Sequence, residues 1–193
     1  MQSLKNGRWL NEPPKAKASD IELSVSTDAN TDFWRETHYG FVRDNGHFYA
    51  FEAEGDFTAQ VRVQAHFEHL YDQAGLMVRI DERRWVKTGI EFADGYGLLG
   101  SALTDEASDW ATGRYDGNPS DFWIRITVQR GVLRIQASAD GKTWPLVRLC
   151  PFPKMDQYLV GPMCCTPERS GLEVRFREWQ LGQALVKDLH DLS

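Results

Sequence analysis

FTAQVRVQAHF, residues 57–67, alternates apolar and polar side chains without interruption. Successive side chains of a β-strand point to opposite faces of its sheet, so this period of two predicts a strand with one buried face. The odd positions form the buried face, and the even positions present Gln60, Arg62, Gln64 and His66 on the other. The stretch therefore predicts a sheet that is packed on one side only.

Runs of the same kind recur along the chain between turn residues, whereas the longer period of an amphipathic helix is absent. Twelve such runs predict an all-β protein in which two antiparallel sheets form a sandwich. We expect one domain over residues 1–193, because nothing in the composition marks a second unit. The predicted strands are residues 21–26, 37–42, 47–54, 57–67, 73–80, 85–92, 97–103, 122–129, 132–138, 145–149, 158–165 and 172–181.

The next stretch, YDQAGLMVRIDERRWVKTGIEF (residues 71–92), predicts two strands joined by a short turn. Both apolar faces point into one core only if an odd number of residues connects the strands, and either 81–83 or 81–85 meets that condition. The alternation then collects the remaining side chains on the opposite face. These are Gln73, Gly75, Met77, Arg79, Trp85, Lys87, Gly89 and Glu91.

Turn residues and chain ends complete the expected architecture. Residues 44–46, 130–131 and 140–141 predict tight hairpins, and the Asp-Gly pair at 140–141 suits a type I′ turn. The N-terminal residues through Ser19 are expected to be extended. Residues 185–192 predict a short C-terminal helix with a leucine stripe.

The bulk composition excludes several classes of partner. A net charge of −6 from scattered acidic residues argues against nucleic acid, which requires clustered Lys and Arg. No apolar run reaches membrane-spanning length and no apolar leader is present, so we expect a cytoplasmic protein without a membrane partner. Cys150, Cys164 and Cys165 are expected to be buried thiols. No metal-ligand spacing occurs, so neither a metal nor a cofactor is expected.

Five runs are distinctive beyond their periodicity: WLNEPP (9–14), TDFWRETHYGF (31–41), RDNGHFY (43–49), residues 71–92 and ASADGKTW (137–144). Together they resemble the DUF1349 family of the concanavalin A-like lectin/glucanase superfamily. The resemblance implies a jelly roll with one sheet curved into a concave face. In the wider superfamily that face often binds or cleaves carbohydrate. DUF1349 itself is a family of unknown function, so the resemblance carries over no catalytic residue.

The face shared by residues 71–92 is the predicted ligand site. Trp85 is expected to stack on a sugar ring, with Trp123 and Arg125 extending the platform from another strand. Polar contacts are expected from Gln73, Arg79, Lys87 and Glu91. The predicted function is non-catalytic binding of a carbohydrate or a polyhydroxylated metabolite. The structural alternative is a ladder in which Glu91 pairs with Lys87 or Arg79.

Two other functions stay open. A glycoside hydrolase-like enzyme would need two carboxyl groups, which Glu91 with Glu52 or Glu54 of FEAEGD could supply, although residues 55–56 also suit an exposed turn. His38 with Asp44 is a further acid and base pair, against the simpler interpretation of a hydrogen-bonded loop histidine. A yeast member of the family is named for regulation of enolase, which implies an interaction protein that regulates a metabolic enzyme.

Overall fold

The computed structural model describes residues 2–193, which form seventeen strands and one turn of 3₁₀ helix, Leu4–Asn6. None of these residues belongs to a helix long and apolar enough to span a bilayer. The strands are β1 (Arg8–Leu10), β2 (Lys15–Ala18), β3 (Glu22–Ser26), β4 (Phe33–Arg35), β5 (Val42–Asp44), β6 (His47–Glu54), β7 (Phe57–Ala65), β8 (Gln73–Arg79), β9 (Arg84–Ala93), β10 (Tyr96–Asp105), β11 (Ala107–Ser108), β12 (Ala111–Arg114), β13 (Asp121–Gln129), β14 (Val132–Ser138), β15 (Leu146–Pro151), β16 (Gln157–Cys165) and β17 (Glu173–Gln183).

Two antiparallel sheets form the sandwich, which confirms the predicted all-β jelly roll. The eight-stranded sheet has the order β1-β6-β16-β8-β9-β10-β11, with β12 also paired to β10. The seven-stranded sheet has the order β15-β14-β13-β7-β17-β3-β2. Strands β4 and β5 pair only with each other.

The core lies between the inner faces of the two sheets. Phe122, Ile124, Ile126 and Val128 of β13 are buried there as predicted, opposite residues such as Val86 of β9. Each buried side chain of this kind stabilises the fold by roughly 1.5 to 3 kcal/mol before the entropy cost. The three cysteines are free and buried, again as predicted.

The turn between β8 and β9 has the predicted odd length. The amide of Ile80 donates to the carbonyl of Arg84 at 2.9 Å, which leaves residues 81–83 as the connection. Gln73 then pairs with Glu91, and Arg79 pairs with Trp85. The residues that the alternation collected on one face therefore do share the outer face of the eight-stranded sheet.

The predicted strand at residues 37–42 is wrong, because the chain turns back there. Glu36, His38 and Gly40 have positive φ angles of 62°, 64° and 68°, which end the extended conformation. Tyr39 and Phe41 stack on each other at 5.4 Å between ring centroids, and this contact explains the strand-like alternation. We call residues 32–44, which comprise β4, this turn and β5, the flap.

Residues 44–46 do not form the predicted hairpin. They connect β5 of the flap to β6 of the eight-stranded sheet, and these two strands do not pair. The amides of Asn45 and Gly46 donate instead to the carbonyl of Asp32 at 3.0 and 2.9 Å. The segment therefore closes the base of the flap.

The other two predicted hairpins have different outcomes. Arg130 and Gly131 have φ angles of 52° and 81°, and they join β13 to β14 in a tight hairpin as predicted. At 140–141 only the glycine has a positive φ, 71°, so the predicted type I′ turn is wrong. A longer loop, residues 139–145, connects β14 to β15 instead.

The predicted C-terminal helix at 185–192 is absent from the described chain. This segment crosses the outer face of the seven-stranded sheet, where the amide of Leu185 donates to Oγ1 of Thr58 at 2.9 Å. The carbonyl of Leu192 accepts from the amide of Trp144 at 2.9 Å. Backbone groups of the segment thus bond to the sheet and its loops, and its local bond from the amide of Asp191 to the carbonyl of Asp188 at 3.1 Å closes a turn and not a helix.

Candidate functional site

The flap covers the outer face of the eight-stranded sheet and forms a second, smaller core with it. Phe33 of the flap meets Trp85 of β9 edge to face at 6.1 Å, next to the buried Met77. Trp85 is only 1% exposed. The predicted stacking of a sugar ring on Trp85 must therefore be corrected, because the flap already occupies the face of the tryptophan.

Arg79 fastens the flap to the sheet. Its two terminal nitrogens donate to the two carboxylate oxygens of Asp44 at 2.6 and 2.8 Å, and its side chain is 8% exposed. Such a two-pronged contact between a guanidinium and a carboxylate is strong and geometrically specific. Arg79 is thus occupied by a structural contact, and the predicted acid and base pair of His38 with Asp44 does not form.

Lys87 makes the corresponding contact at the other end of the flap. Its Nζ lies 2.8 Å from Oδ1 of Asp32, and its side chain is 7% exposed. Burial acts to lower the pKa of Lys87, but the nearby acidic groups, Asp32 first, outweigh it and raise that pKa. The amide of Gln73 lies 3.4 Å from the same carboxylate oxygen. Lys87, Gln73 and Glu91, which is the strand partner of Gln73, form a charged floor under the flap.

A pocket of about 700 Å³, its mouth included, lies between the flap and this floor. We call it the flap pocket. Its walls are mainly aromatic, and the hydroxyl groups of Tyr39 and Tyr71 meet across it at 3.0 Å. The residues that line it are Asp32, Trp34, Tyr39, Phe41, Arg43, Tyr71, Gln73, Lys87, Glu91, Trp110, Pro167 and Glu168.

Glu91 is the carboxyl group of the floor that has no ion pair within 4.0 Å in residues 2–193. The predicted ladder of Glu91 with Lys87 or Arg79 does not form, because Asp32 and Asp44 take those two partners. Burial raises the pKa of Glu91 to about 7, with the Lys87 charge opposing this and the Asp32 charge adding to it. A carboxyl group of this kind exchanges its proton near neutral pH.

We expect the stability of the protein to fall as the pH rises between about 4.5 and about 7. The folded state holds the Glu91 proton in that window and the unfolded state does not, so unfolding releases it. The loss should be about 1 to 3 kcal/mol. Glu91→Gln should flatten this part of the profile and stabilise the protein at pH 8, as measured by urea denaturation. An identical slope in the variant would contradict the assignment to Glu91.

Two glycines lie between the floor residues, Gly75 on β8 and Gly89 on β9, at a point where the two backbones approach closely. A Cβ at Gly89 would lie 2.0 Å from the carbonyl oxygen of Ala74, and one at Gly75 would lie 1.9 Å from that of Thr88. The missing side chains therefore make room for the neighbouring strand. The two glycines therefore allow β8 and β9 to pair at this point.

The structure does not bring Trp123 and Arg125 to this site, which corrects the predicted platform. Both lie on β13, on the outer face of the seven-stranded sheet, at the opposite side of the sandwich. Trp123 donates to Glu178 at 3.0 Å, and the guanidinium of Arg62 lies 4.5 Å from its ring centroid. Alternation identified these side chains as outward-facing but could not tell which sheet they belong to.

The carboxylates predicted for an enzyme are also far apart. Glu52 and Glu54 lie on β6, three strands from β9, and both are exposed. The strand pairing places Glu52 level with Trp85, six residues from Glu91. That is about 20 Å along the strand, beyond the separation that glycosidases use. The pairing of Glu91 with either residue is therefore excluded.

Sequence reasoning missed most of the pocket. Asp32, Trp34 and Tyr39 lie in TDFWRETHYGF, and Trp110 follows β11. The signal was the concentration of aromatic residues in that segment together with one aspartate. Within residues 2–193, no cluster of three or more side chains suitable for a metal ion is present.

Comparisons with known proteins agree with this geometry at the level of the fold. A family model described as "Protein of unknown function (DUF1349)" matches residues 9–184. "Regulation of enolase protein 1" from Saccharomyces cerevisiae is 60% identical over 190 residues, which cover 98% of this chain and 96% of the relative.

Two solved structures are similar. One is a functionally unknown protein from Saccharomyces cerevisiae, with a TM-score of 0.93 and 58% identity over 95% of this chain and 100% of that one. The other is a GH43 protein, a BlXynB mutant from Bacillus licheniformis, with a TM-score of 0.71 and 11% identity. The match covers 95% of this chain and 39% of that one. At this identity the likeness to the GH43 protein shows the fold alone.

Proposed function

Because this chain belongs to the DUF1349 family, whose description assigns no activity, we propose its function from the flap pocket. The protein binds a carbohydrate or another polyhydroxylated metabolite there and does not convert it. The observation that carries this proposal is the combination of accessible aromatic walls with a buried, charged floor in one pocket. Pockets with apolar walls and a few convergent polar groups are typical of small-molecule sites.

The walls suit the apolar faces of a sugar ring. Trp110 is 42% exposed and Tyr39 is 44% exposed, so both rings have accessible surface. Rings of this kind contribute a large apolar contact area at small entropy cost.

The floor suits the hydroxyl groups of such a ligand. Lys87 offers a donor, and Gln73 offers both a donor and an acceptor. Glu91 can donate or accept near neutral pH, because burial raises its pKa to about 7. Hydroxyl groups need donors and acceptors together, and these three side chains provide both.

The arrangement favours binding over hydrolysis. Oδ1 of Asp32 already accepts from Nζ of Lys87 and from the amide of Phe33, both at 2.8 Å. That leaves Glu91 as the floor carboxyl group without an ion pair in the described chain. Hydrolysis of a glycosidic bond ordinarily requires two carboxyl groups on either side of it.

We expect Trp110→Ala to weaken sugar binding about tenfold or more, from the lost stacking contact. A thermal-shift screen of neutral sugars and sugar phosphates, with a glycan array, would first identify a bound sugar, and calorimetry would then compare variants. Trp123→Ala is the matched control, because that tryptophan lies on the opposite face, and it should bind as the unaltered protein does. If neither the thermal-shift screen nor the glycan array detects binding, the proposal is wrong.

A glycoside hydrolase is the second candidate, and the raised pKa of Glu91 is the observation that favours it. Glycosidases keep one carboxyl group protonated near neutral pH as a general acid. Glu91→Gln separates the two functions, because it would abolish hydrolysis of a chromogenic glycoside while retaining binding within about tenfold. No turnover by the unaltered protein on a substrate that it binds would exclude the enzyme.

A regulatory interaction with a metabolic enzyme is the third candidate. It is supported by the name of the yeast relative, which is 60% identical over 98% of this chain. Co-purification of enolase with the tagged protein from a native lysate, at stoichiometric yield, would support it. If no protein is retained while a sugar still binds, the binding function stands without a protein partner.

A further inference from the structure

Two arginines on the outer face of the seven-stranded sheet are buried without an acidic partner. Arg125 of β13 and Arg134 of β14 are each 9% exposed. No carboxylate of residues 2–193 lies within 4.0 Å of either guanidinium group, although fifteen ion pairs form elsewhere in this part of the chain. Buried charges in proteins are normally paired.

Neutral groups hold Arg125 in place but leave donors unused. Its Nε donates to Oε1 of Gln60 at 3.1 Å, and its guanidinium carbon lies 3.7 Å from the ring centroid of the buried Trp144. Burial lowers the pKa of Arg125 to about 10, and the charge of Arg134 acts in the same direction. The two terminal nitrogens of Arg125 have no acceptor among the described residues.

The guanidinium group of Arg134 is less well hydrogen-bonded than that of Arg125. One terminal nitrogen donates to the carbonyl of Lys187 at 3.3 Å, while its buried Nε has no hydrogen-bond partner in the described chain. Arg134 pairs with Thr127 across the strands, two positions from Arg125, so the two guanidinium groups are diagonal neighbours on one face. By contrast, Arg62 on the same face pairs with both Asp121 and Glu178.

Asp191, an acidic side chain whose charge interacts with Arg134, is engaged elsewhere. Asp191 of the C-terminal segment accepts from the amide and the hydroxyl of Ser193 at 2.9 and 2.7 Å. Its charge interacts with Arg134 only as a minor contribution to its own lowered pKa, behind the bonds from Ser193. Two like charges therefore remain side by side under the C-terminal segment.

We propose that Arg125 and Arg134 form a binding site for a small oxyanion of the phosphate or carboxylate class. The planar fork of a guanidinium group matches such anions with parallel hydrogen bonds. Trp144 packs against the guanidinium of Arg125, and the donors without an acceptor in the described chain are the terminal nitrogens of Arg125 and Nε of Arg134. Residues 184–193 lie over this face, where the carbonyl of Lys187 contacts Arg134.

Inorganic phosphate is the probe for this site. The melting temperature of the full chain should rise saturably with phosphate, compared with sodium chloride at matched ionic strength and pH. Arg125→Gln and Arg134→Gln should each weaken phosphate binding about tenfold or more, because each removes a charge-assisted contact. Arg175→Gln is the matched control, since Arg175 is an exposed arginine of the same sheet, and it should keep the full shift.

Three readouts make the result decisive. In chloride alone, Arg134→Gln should melt no lower than the unaltered protein, because it removes an unpaired buried charge, and this excludes a folding defect. The same melting-temperature titration with acetate and with sulfate shows whether the site prefers a carboxylate or a phosphate-like anion. Trp110→Ala should keep the phosphate shift, so failure of the sugar site and failure of this site are distinguishable. No shift beyond that of chloride with phosphate, sulfate or acetate, or a shift in both arginine variants equal to that of the unaltered protein, would overturn the proposal.

Discussion

Replacing Asp32 by alanine should lower the free energy of unfolding by about 3 to 5 kcal/mol, because it leaves a buried ammonium group without its partner. Nζ of Lys87 lies 2.8 Å from the carboxylate, and the lysine side chain is only 7% exposed. The same carboxylate accepts from the amide of Phe33 at 2.8 Å, so the base of the flap loses a contact as well. Urea denaturation monitored by tryptophan fluorescence measures the change.

The double variant Asp32→Ala with Lys87→Met should recover much of this loss, since no buried charge then remains. Asp81→Ala is the matched control, because Asp81 makes its ion pair with Arg84 at the surface and should have little effect on stability. If Asp32→Ala and Asp81→Ala destabilise the protein equally, the contact of Asp32 with Lys87 is exposed to water. The floor of the flap pocket would then not contain a buried ion pair.

Trp85→Ala should cost about 3 to 5 kcal/mol of unfolding free energy through the cavity that it leaves. The indole is 1% exposed and packs against Phe33, so the flap loses its main apolar contact with the sheet. Limited proteolysis within the turn of the flap, residues 36–41, should then be faster than in the unaltered protein. Denaturation and proteolysis together separate loss of the flap from loss of the whole fold.

The comparison with Trp110 tests the same point from the opposite side. Trp110 is 42% exposed on the wall of the flap pocket, so its replacement by alanine should change stability little. Comparable stability losses in Trp85→Ala and Trp110→Ala would show that Trp85 is not buried by the flap. The stacking role that the sequence suggests for Trp85 is the one that we propose for Trp110, whose position in the pocket the sequence did not indicate.

The inner faces of the sandwich could be predicted because their signal is local. In β7 and β13 the alternation of two extends over a whole strand, and a shift by one residue would expose every apolar side chain. The odd connection at 81–83 followed from the same constraint, since it allows β8 and β9 to share one core. The buried faces and the length of this turn depend on residues that are close in sequence, and the period of the side-chain pattern therefore predicts them.

The flap and the site could not be predicted because they depend on contacts between distant residues. Asp32 meets Lys87 across 55 residues and Asp44 meets Arg79 across 35. The turn of the flap also has positive φ angles at Glu36 and His38. Neither residue is a glycine, so the sequence does not indicate a turn at these positions. A polar face that a flap converts into a second core has the same alternation as a face that remains in solvent.

The strand order of both sheets has a consequence for synthesis of the chain on the ribosome. β16 lies between β6 and β8, and β17 lies between β7 and β3, so the last strands to be made occupy the middle of each sheet. Until residue 165 has emerged, the eight-stranded sheet remains in two pieces with unpaired edges, and the seven-stranded sheet does so until residue 183 has emerged. Exposed strand edges promote association between chains. The nascent protein therefore completes its fold only after β17 has emerged from the ribosome, and edges of β6, β7 and β8 stay unpaired until β16 and β17 have been made.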